Sequence, residues 1–113
     1  MLSNLSFLKS FAANDAAKIS KYVNMFLTGA PQMLEQMKSQ LQASDWKGLR
    51  TTVHSLKSQV KYMGIASAEE LAITIEKHAA EETNLSALPE MVSRLESITN
   101  EACTELRDEL TRL

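Results

Sequence analysis

The sequence contains few of the residues that interrupt helices or cross-link chains. Among its 113 residues there are three Gly, two Pro and one Cys. So few helix breakers argue against disorder and against the frequent turns of β-sandwiches, and a single cysteine cannot form an internal disulfide. We therefore expect a helical protein of a reducing compartment in which Cys103 is a packed, unreactive thiol.

Long apolar runs are also missing. No stretch approaches the ~18 residues needed to span a bilayer, and residues 1–11 lack the basic start and continuous apolar core of a signal peptide. The net charge of −2 gives no general attraction to nucleic acid or to anionic lipid. The sequence therefore predicts a cytoplasmic protein that binds neither nucleic acid nor membrane.

The charges are divided unevenly along the chain. Up to Ile65 there are eight Lys/Arg and three Asp/Glu, a balance of +5, whereas from Ala66 onward there are four Lys/Arg and eleven Asp/Glu, a balance of −7. Our interpretation is that oppositely charged helices lie side by side in a bundle. A basic face with a function of its own is compatible with this arrangement of helices.

Apolar residues recur at helical spacing in five segments. A short amphipathic opening precedes a long segment over about 15–43, where Pro31 predicts either one kinked helix or a break near residue 29. Short loops between the later segments imply antiparallel neighbours, and the chain length suits one domain. We predict an all-α, antiparallel up-down four-helix bundle with a short additional N-terminal helix, forming a single domain of residues 1–113.

The helix ends and the core can also be predicted. Capping signals are Asn14 or Asp15 for the second helix, Ser44 or Asp45 for the third, Gly64 as a left-handed stop, and Ser67-Ala68-Glu69-Glu70 as a capping box for the fourth. The core of the fourth helix is predicted as Leu71, Ile75 and either Ala79 or His78, and that of the last as Leu88, Val92, Leu95, Ala102, Leu106 and Leu113, joined by Met91, Ile98 and Leu110.

His54 stands opposite the apolar stripe of the third helix. At 100° per residue, the centre of that stripe lies about 140° from His54, so the imidazole must point outward. The stripe consists of Leu49, Val53, Leu56, Val60 and Met63. Within about 60° of His54 lie Lys47, Arg50, Lys57, Ser58 and Lys61. No acidic residue of this segment shares the face, so we expect the imidazole to lie in a basic strip.

An imidazole in water titrates near neutral pH, so one ring nitrogen has a free lone pair that can attack phosphorus. Lys57 and Arg50 lie one turn away and Lys61 lies two turns away, where long cationic side chains can reach phosphoryl oxygens. Ser58 is small enough to let another protein approach. The other interpretation is that His54 is only a solvated surface residue, as most lone exposed histidines are. His78, near acidic residues at the edge of its helix, is predicted to serve packing or capping.

The segment His54-Ser55-Leu56-Lys57-Ser58-Gln59, followed by Gly64, resembles the H-x-L-K-G-S…G signature of histidine-containing phosphotransfer (HPt) domains. The similarity continues through Phe26-Leu27…Ala30-Pro31…Leu34, Asp45-Trp46…Leu49 and Ala68…Leu71…Ile75-Glu76. Two positions depart from the signature. Ser58 stands where the family prefers glycine, and Gln59 stands where it commonly has serine or alanine.

The resemblance implies a phosphocarrier and not an enzyme, in which His54 takes a phosphoryl group from a receiver-domain aspartate and passes it to another receiver. Lys57 matches the lysine that steadies the phosphoryl group in that family. The implied partners are receiver domains of a hybrid histidine kinase and of a response regulator. The chain is expected to be a monomer, because its apolar stripes are no wider than one bundle core requires. It is expected to have no cofactor or metal of its own, because this face has no carboxylate cluster and the receiver is expected to bring magnesium.

Receiver docking is expected at an apolar patch beside His54. The predicted docking residues are Ser58, Tyr62, Gly64 and Ile65, with Met25 or Met33 on a neighbouring surface. The alternative function is an HPt-like bundle that binds receivers or kinases without carrying phosphate. A metal or cofactor bundle and a hydrolase are poorly supported, because convergent histidines and an orienting acid are both missing.

Overall fold

The computed structural model describes residues 2–113, which contain five α-helices and no strand. A 3-10 turn at Leu85–Ala87 precedes the last helix. The helices are α1 Ser6–Phe11, α2 Ala16–Gln42, α3 Trp46–Tyr62, α4 Ala66–Glu81 and α5 Leu88–Leu110.

The four long helices pack in a closed ring. α3 contacts α2 and α4, and α5 contacts the same two helices from the other side, while α3 and α4 share the most extensive contact. Because short connections reverse the chain between successive helices, neighbours in the ring are antiparallel. The predicted all-α four-helix bundle with an additional N-terminal helix is confirmed.

The buried side chains form one core that follows the predicted apolar stripes. All five stripe residues of α3 are at most 3% exposed, and the fourth helix buries Ala79, while His78 is only half-buried. Leu113 was wrongly predicted as core: it is 40% exposed, because α5 ends at Leu110. Cys103 is buried, as predicted, and burial raises the pKa of its thiol.

The structure decides between the predicted N-caps of α2 and α3 and shows whether α2 is continuous. The Asp15 carboxylate accepts hydrogen bonds from the backbone of Ala17 and Lys18, and that of Asp45 accepts one from Gly48, so these two residues are the caps. α2 continues through Pro31 without a break, because buried residues on both sides of the proline keep the helix packed against its neighbours.

The turn between α3 and α4 differs from the prediction in one respect. Gly64 takes the expected left-handed conformation, with φ +68°, and a Cβ there would collide with the backbone of Asn4. The predicted capping box was wrong, because α4 already begins at Ala66 and its N-cap is Ile65, which makes no side-chain cap bond. Ile65 is fully buried, and this anchoring starts the helix before Ser67.

The uneven charge distribution is explained by pairing between helices. Lys57 on α3 pairs with Glu76 on α4, and Lys38 on α2 pairs with Glu96 on α5. Each pair joins a cation of the basic half to a carboxylate of the acidic half, which confirms our interpretation of the charge pattern. Among residues 2–113, no helix is both long enough and apolar enough to cross a membrane.

Candidate functional site

His54 is presented to solvent from the middle of α3. Its side chain is 64% exposed, because Val53 and Leu56, which point to the other side of the helix, are fully buried. The helix therefore holds the backbone of His54 rigidly while its imidazole projects outward, as the apolar spacing predicts.

The imidazole is not surrounded by cations alone, because α4 supplies a carboxylate. The Nδ1 atom of His54 lies 2.5 Å from Oε2 of Glu76. α4 runs antiparallel to α3, which brings Glu76 opposite His54, and the helix buries Ala68, Ala72 and Ala79, whose small side chains permit close packing. The expectation of a purely basic strip holds within α3 but is wrong for the assembled surface.

Glu76 also binds Lys57 through its second oxygen. The Lys57 Nζ atom donates to Glu76 Oε1 at 2.7 Å, so one carboxylate bridges the imidazole and the ammonium group. The side chains of Lys57 and Glu76 are 25% and 19% exposed, which makes this a partly buried network beside an exposed ring. We name His54, Lys57 and Glu76 the bridged triad.

The network keeps the Glu76 carboxyl ionised. Partial burial by itself raises the pKa of Glu76, but the hydrogen bonds from Lys57 and His54 outweigh burial, and the net pKa lies below the ordinary value. Near neutral pH the group is therefore a carboxylate that can only accept hydrogen bonds. The neighbouring Nδ1 must be the donor.

This geometry assigns different tasks to the two ring nitrogens. A neutral imidazole whose Nδ1 carries the proton has its free lone pair on Nε2. A carboxylate at Nδ1 fixes both the tautomer and the orientation of the ring. The site therefore offers a solvent-facing nucleophile, and a positive charge that develops on the ring can be stabilised by Glu76.

The other predicted cations surround the triad without joining it. Arg50 and Lys61 are exposed, and neither forms an ion pair within the described part of the chain. They lie about one and two turns from His54 on its face of α3. Their contribution to phosphoryl binding remains a prediction.

The predicted docking residues fall into three groups. Ser58 and Tyr62 are exposed, and Tyr62 is 49% exposed. Gly64 is partly exposed but faces the backbone of Asn4 on one side. Ile65 was wrong as a docking residue, because its side chain is fully buried at the start of α4.

Of the two predicted methionines, Met25 has the more accessible surface. Its side chain is 59% exposed, whereas Met33 packs against the core. Met25 and Tyr62 line the same apolar groove, which has a volume of about 350 Å³. The structure therefore places an apolar surface on the helix that carries His54.

Within the described part of the chain, the triad does not belong to a metal-binding cluster. Among residues 2–113, no three His, Cys, Asp or Glu side chains come together as potential ligands. Magnesium ions in phosphoryl-transfer sites are bound through carboxylates and substrate phosphates. That the receiver supplies the magnesium remains a prediction.

His78 lies elsewhere, in the last turn of α4. Its Nε2 atom is 3.5 Å from the amide nitrogen of Asn84, and its backbone carbonyl accepts from the amides of Glu82 and Thr83. These contacts close the turn that leads to α5, in agreement with the predicted packing or capping role.

Glu76 is the site residue that helical spacing on α3 could not identify. It occurs in the downstream part of the sequence resemblance, and that was its only signal. It is 22 residues from His54 in the chain, and its position opposite the ring depends on how α4 packs against α3.

Comparison with known proteins places most of the chain in one family. The family model described as "Hpt domain" matches residues 21–113. Histidine-containing phosphotransfer protein B (HptB) from Pseudomonas aeruginosa PAO1 has 20% sequence identity and a TM-score of 0.89, with 99% of this chain and 96% of that chain covered.

A second similar structure is the HPT domain of an Hpt sensor hybrid histidine kinase from Shewanella. It shares 19% identity at a TM-score of 0.84, with 99% of this chain and 96% of that chain covered. No curated protein sequence matches. At these identities the two structures support the fold, and the family model carries the assignment.

Proposed function

This chain belongs to the Hpt domain family, the phosphotransfer proteins of two-component systems, and from that premise we propose that His54 is its phosphoacceptor. In this proposal His54 receives the phosphoryl group from an aspartate of one receiver domain and transfers it to an aspartate of another. The observation that carries it is the bridged triad, in which Glu76 binds Nδ1 of an imidazole that is 64% exposed.

The proposed step is an in-line displacement at phosphorus. The Nε2 lone pair attacks the phosphorus of the receiver's aspartyl phosphate, a P–N bond forms, and the P–O bond to the aspartate breaks, so the aspartate leaves as a carboxylate. The ring keeps its Nδ1 proton and gains positive charge, which the Glu76 carboxylate stabilises through the hydrogen bond. The reverse step on a second receiver restores the neutral imidazole.

Lys57 is proposed to steady the phosphoryl group. It lies one turn after His54, and its Nζ atom is 2.7 Å from Oε1 of Glu76, the carboxylate that also binds the ring. Because a phosphoryl group on the exposed imidazole is screened by salt, such a contact is worth at most about 1 kcal/mol. Arg50 and Lys61 are assigned the same role at longer range. Together these cations position the phosphoryl group but contribute little to the free energy of its transfer.

The remaining chemistry is assigned to the partner. In phosphoryl transfer, magnesium and positioning account for most of the catalysis, and the bridged triad supplies only one carboxylate, which already has two hydrogen-bonding partners. We therefore propose that the receiver brings the metal and the catalytic groups. This chain would act as a carrier and not as an enzyme.

The test uses a phosphorylated receiver domain, magnesium, and the wild-type protein beside His54→Gln and His78→Gln. We expect an acid-labile, base-stable phosphoryl group on the wild type and on His78→Gln, and none on His54→Gln. His78→Gln is the matched control, because it removes the only other histidine.

Two results would contradict the proposal. Label on His54→Gln would move the acceptor to another residue. A wild type that stays unlabelled with receivers that do phosphorylate a known HPt domain would favour a bundle that binds receivers or kinases without carrying phosphate.

A further inference from the structure

Three hydroxyl side chains lie on one side of His54 on the exposed surface of α3. They are Ser58, Thr51 and Ser55, which are all exposed and are rotated from His54 by about 40°, 60° and 100° in the same direction around the helix. A hydroxyl group can donate one hydrogen bond, so each of the three is a candidate donor to an anion at the ring. Which of them is available depends on the partner that it already has.

Two of these hydroxyls are already bound to the helix backbone. The Thr51 Oγ1 atom donates to the carbonyl of Lys47 at 3.1 Å, and the Ser55 Oγ atom donates to the carbonyl of Thr51 at 3.4 Å. Such bonds to the carbonyl four residues earlier are a known pattern for Ser and Thr in helices. The Ser58 hydroxyl, in contrast, forms no hydrogen bond within residues 2–113. Of the three hydroxyls, it is therefore the one that is free to bind a ligand.

Ser58 and Lys57 flank the imidazole from opposite sides. Both lie one turn after His54, but Lys57 is rotated by about 60° in one direction and Ser58 by about 40° in the other. Because Glu76 on α4 binds the ring and the ammonium group together, α4 lies on the Lys57 side and Ser58 lies on the side away from α4. The Cβ atoms of Ser58 and His54 are about 5–6 Å apart, and helical side chains tilt toward the N-terminus, so the hydroxyl leans toward the ring.

We infer that Ser58 is a further phosphoryl-binding residue, whose hydroxyl donates a hydrogen bond to a phosphoryl oxygen on His54 from the side opposite Lys57. This inference rests on the proposed function, because it takes phosphorylation of His54 as given. A phosphoryl group spreads its charge over three oxygens, and hydrogen bonds to charged acceptors are stronger than those between neutral groups. Donors on two sides hold the group in one orientation, whereas a single donor leaves it free to rotate about the P–N bond.

The inference gives a function to a position where this chain departs from the signature. Ser58 stands where the family prefers glycine, and glycine has no side chain that could donate a hydrogen bond. The bond from Ser58 exists only while the phosphoryl group is present, so it stabilises the phosphorylated state and not the free imidazole. The wild type is therefore expected to keep its phosphoryl group longer than the Ser58→Gly variant does.

The experiment loads His54 with the small donor phosphoramidate, which requires no docking, and then follows the lifetime of the phosphoryl group by ³¹P NMR. Hydrolysis breaks the P–N bond, transfers the phosphoryl group to water and restores the imidazole. We expect Ser58→Ala and Ser58→Gly each to shorten the lifetime by about fivefold, which corresponds to the loss of one hydrogen bond of ordinary strength. Ser55→Ala is the matched control, because it removes a neighbouring hydroxyl that is bound to the backbone, and it should keep the wild-type lifetime.

The two substitutions of Ser58 separate a contact with the phosphoryl group from an effect on the helix. Relative to serine, alanine stabilises a helix and glycine destabilises it, so a merely structural role would change the two lifetimes in opposite directions. Loss of the hydroxyl shortens both. Thermal unfolding of each variant measures the change in helix stability alongside, and lifetimes that follow the unfolding midpoint would overturn the inference.

A steric role for Ser58 predicts a different pattern. If the side chain only limits how closely a receiver approaches His54, Ser58→Gly lowers KM for transfer to a receiver, because it removes the obstacle. Neither substitution then changes the lifetime that is measured in the absence of a receiver. A lower KM with an unchanged lifetime would therefore also overturn the inference.

The outcomes separate this inference from the proposed function. Wild-type protein that takes no phosphoryl group on His54 from phosphoramidate or from receivers overturns the proposed function. Normal loading with the same lifetime in the wild type, Ser58→Ala and Ser58→Gly overturns only the role of Ser58. An equally shortened lifetime in Ser55→Ala would have the same meaning, because that hydroxyl does not face the phosphoryl group.

Discussion

Two ion pairs between helices use the same residue types but have different surroundings. On the α3–α4 side, Glu76 bridges Lys57 and His54, and its side chain is 19% exposed. On the α2–α5 side the arrangement is reversed: Lys38 bridges Glu96 and Glu35, at 2.6 and 2.9 Å, and its side chain is 43% exposed.

The difference lies in which charge stands at the centre. A central carboxylate that binds an imidazole can fix its tautomer and balance a positive charge on the ring. The central ammonium group of Lys38 contacts only two carboxylates, so it affects no nucleophilic side chain. The α2–α5 pair is thus a natural control for the α3–α4 pair, and the predictions below compare the two.

The largest effect is expected from Glu76→Ala. Loss of a hydrogen-bonding partner behind a functional histidine typically costs about 10–100-fold in activity, so transfer from a phosphorylated receiver to His54 should slow by that factor. Glu96→Ala should leave the rate at the wild-type level. Glu76→Gln, which keeps an acceptor oxygen but loses the charge, should fall between them.

A spectroscopic measurement separates positioning by Glu76 from a merely structural role. The imidazole ¹⁵N shifts of His54 should report a proton on Nδ1 in the wild type and a mixture of tautomers in Glu76→Ala. Equal shifts in both proteins would show that Glu76 does not set the tautomer.

A smaller effect is expected from Lys57→Ala. Because a screened contact to the phosphoryl group is worth at most about 1 kcal/mol, the fraction of phosphorylated His54 at equilibrium with a receiver should fall by about fivefold or less. Lys38→Ala removes the same residue type from the other pair and should not change that fraction. A loss as large as that of His54→Gln would show that Lys57 is essential and not auxiliary.

The pH dependence of stability should also distinguish the wild type from Glu76→Gln. The folded pKa of Glu76 lies below its ordinary value of 4.5, so the carboxylate stabilises the fold above that pH and its contribution disappears as the pH falls through the folded pKa. The difference in unfolding midpoint between the two proteins should therefore be largest at neutral pH and should disappear in acid. A gap that persists unchanged in acid would contradict this assignment.

The smallest effect is expected at Lys38. Hydrogen bonds to Glu96 and then to Glu35 raise its pKa above the ordinary 10.5, so its contribution is present below that pH and is lost as the pH rises through the folded pKa. Because the group is exposed, we expect Lys38→Met to shift the unfolding midpoint only slightly, and less in high salt than in low salt. A shift larger than that of Glu76→Gln would reverse the ranking of the two pairs.

Much of the site and of its support could be predicted along single helices. The exposure of His54 follows from the apolar spacing on α3, since a residue opposite a buried stripe has to face solvent. Lys57 is placed by the same periodicity. Two of the errors occur at helix ends: a capping box was predicted at Ser67, but burial of Ile65 starts α4 earlier, and Leu113 lies beyond the last helical turn.

Contacts between elements required the folded chain. The stacking of Phe7 on Tyr62 joins α1 to α3, and the bonds from Leu2 and Ser3 to Glu105 join the two ends of the sequence. Helical periodicity specifies the face on which a residue lies but not which residue of another helix lies opposite.

The sequence by itself determined the helices, the outward direction of His54 and the cations beside it, because each depends on the regular 3.6-residue period of one helix. Only the tertiary structure decided that Glu76 holds the imidazole and Lys57 together, that Ile65 is buried, and that α1 places its aromatic rings beside Tyr62. These features depend on the register and distance between packed elements, which are set by the fit of side chains across the core.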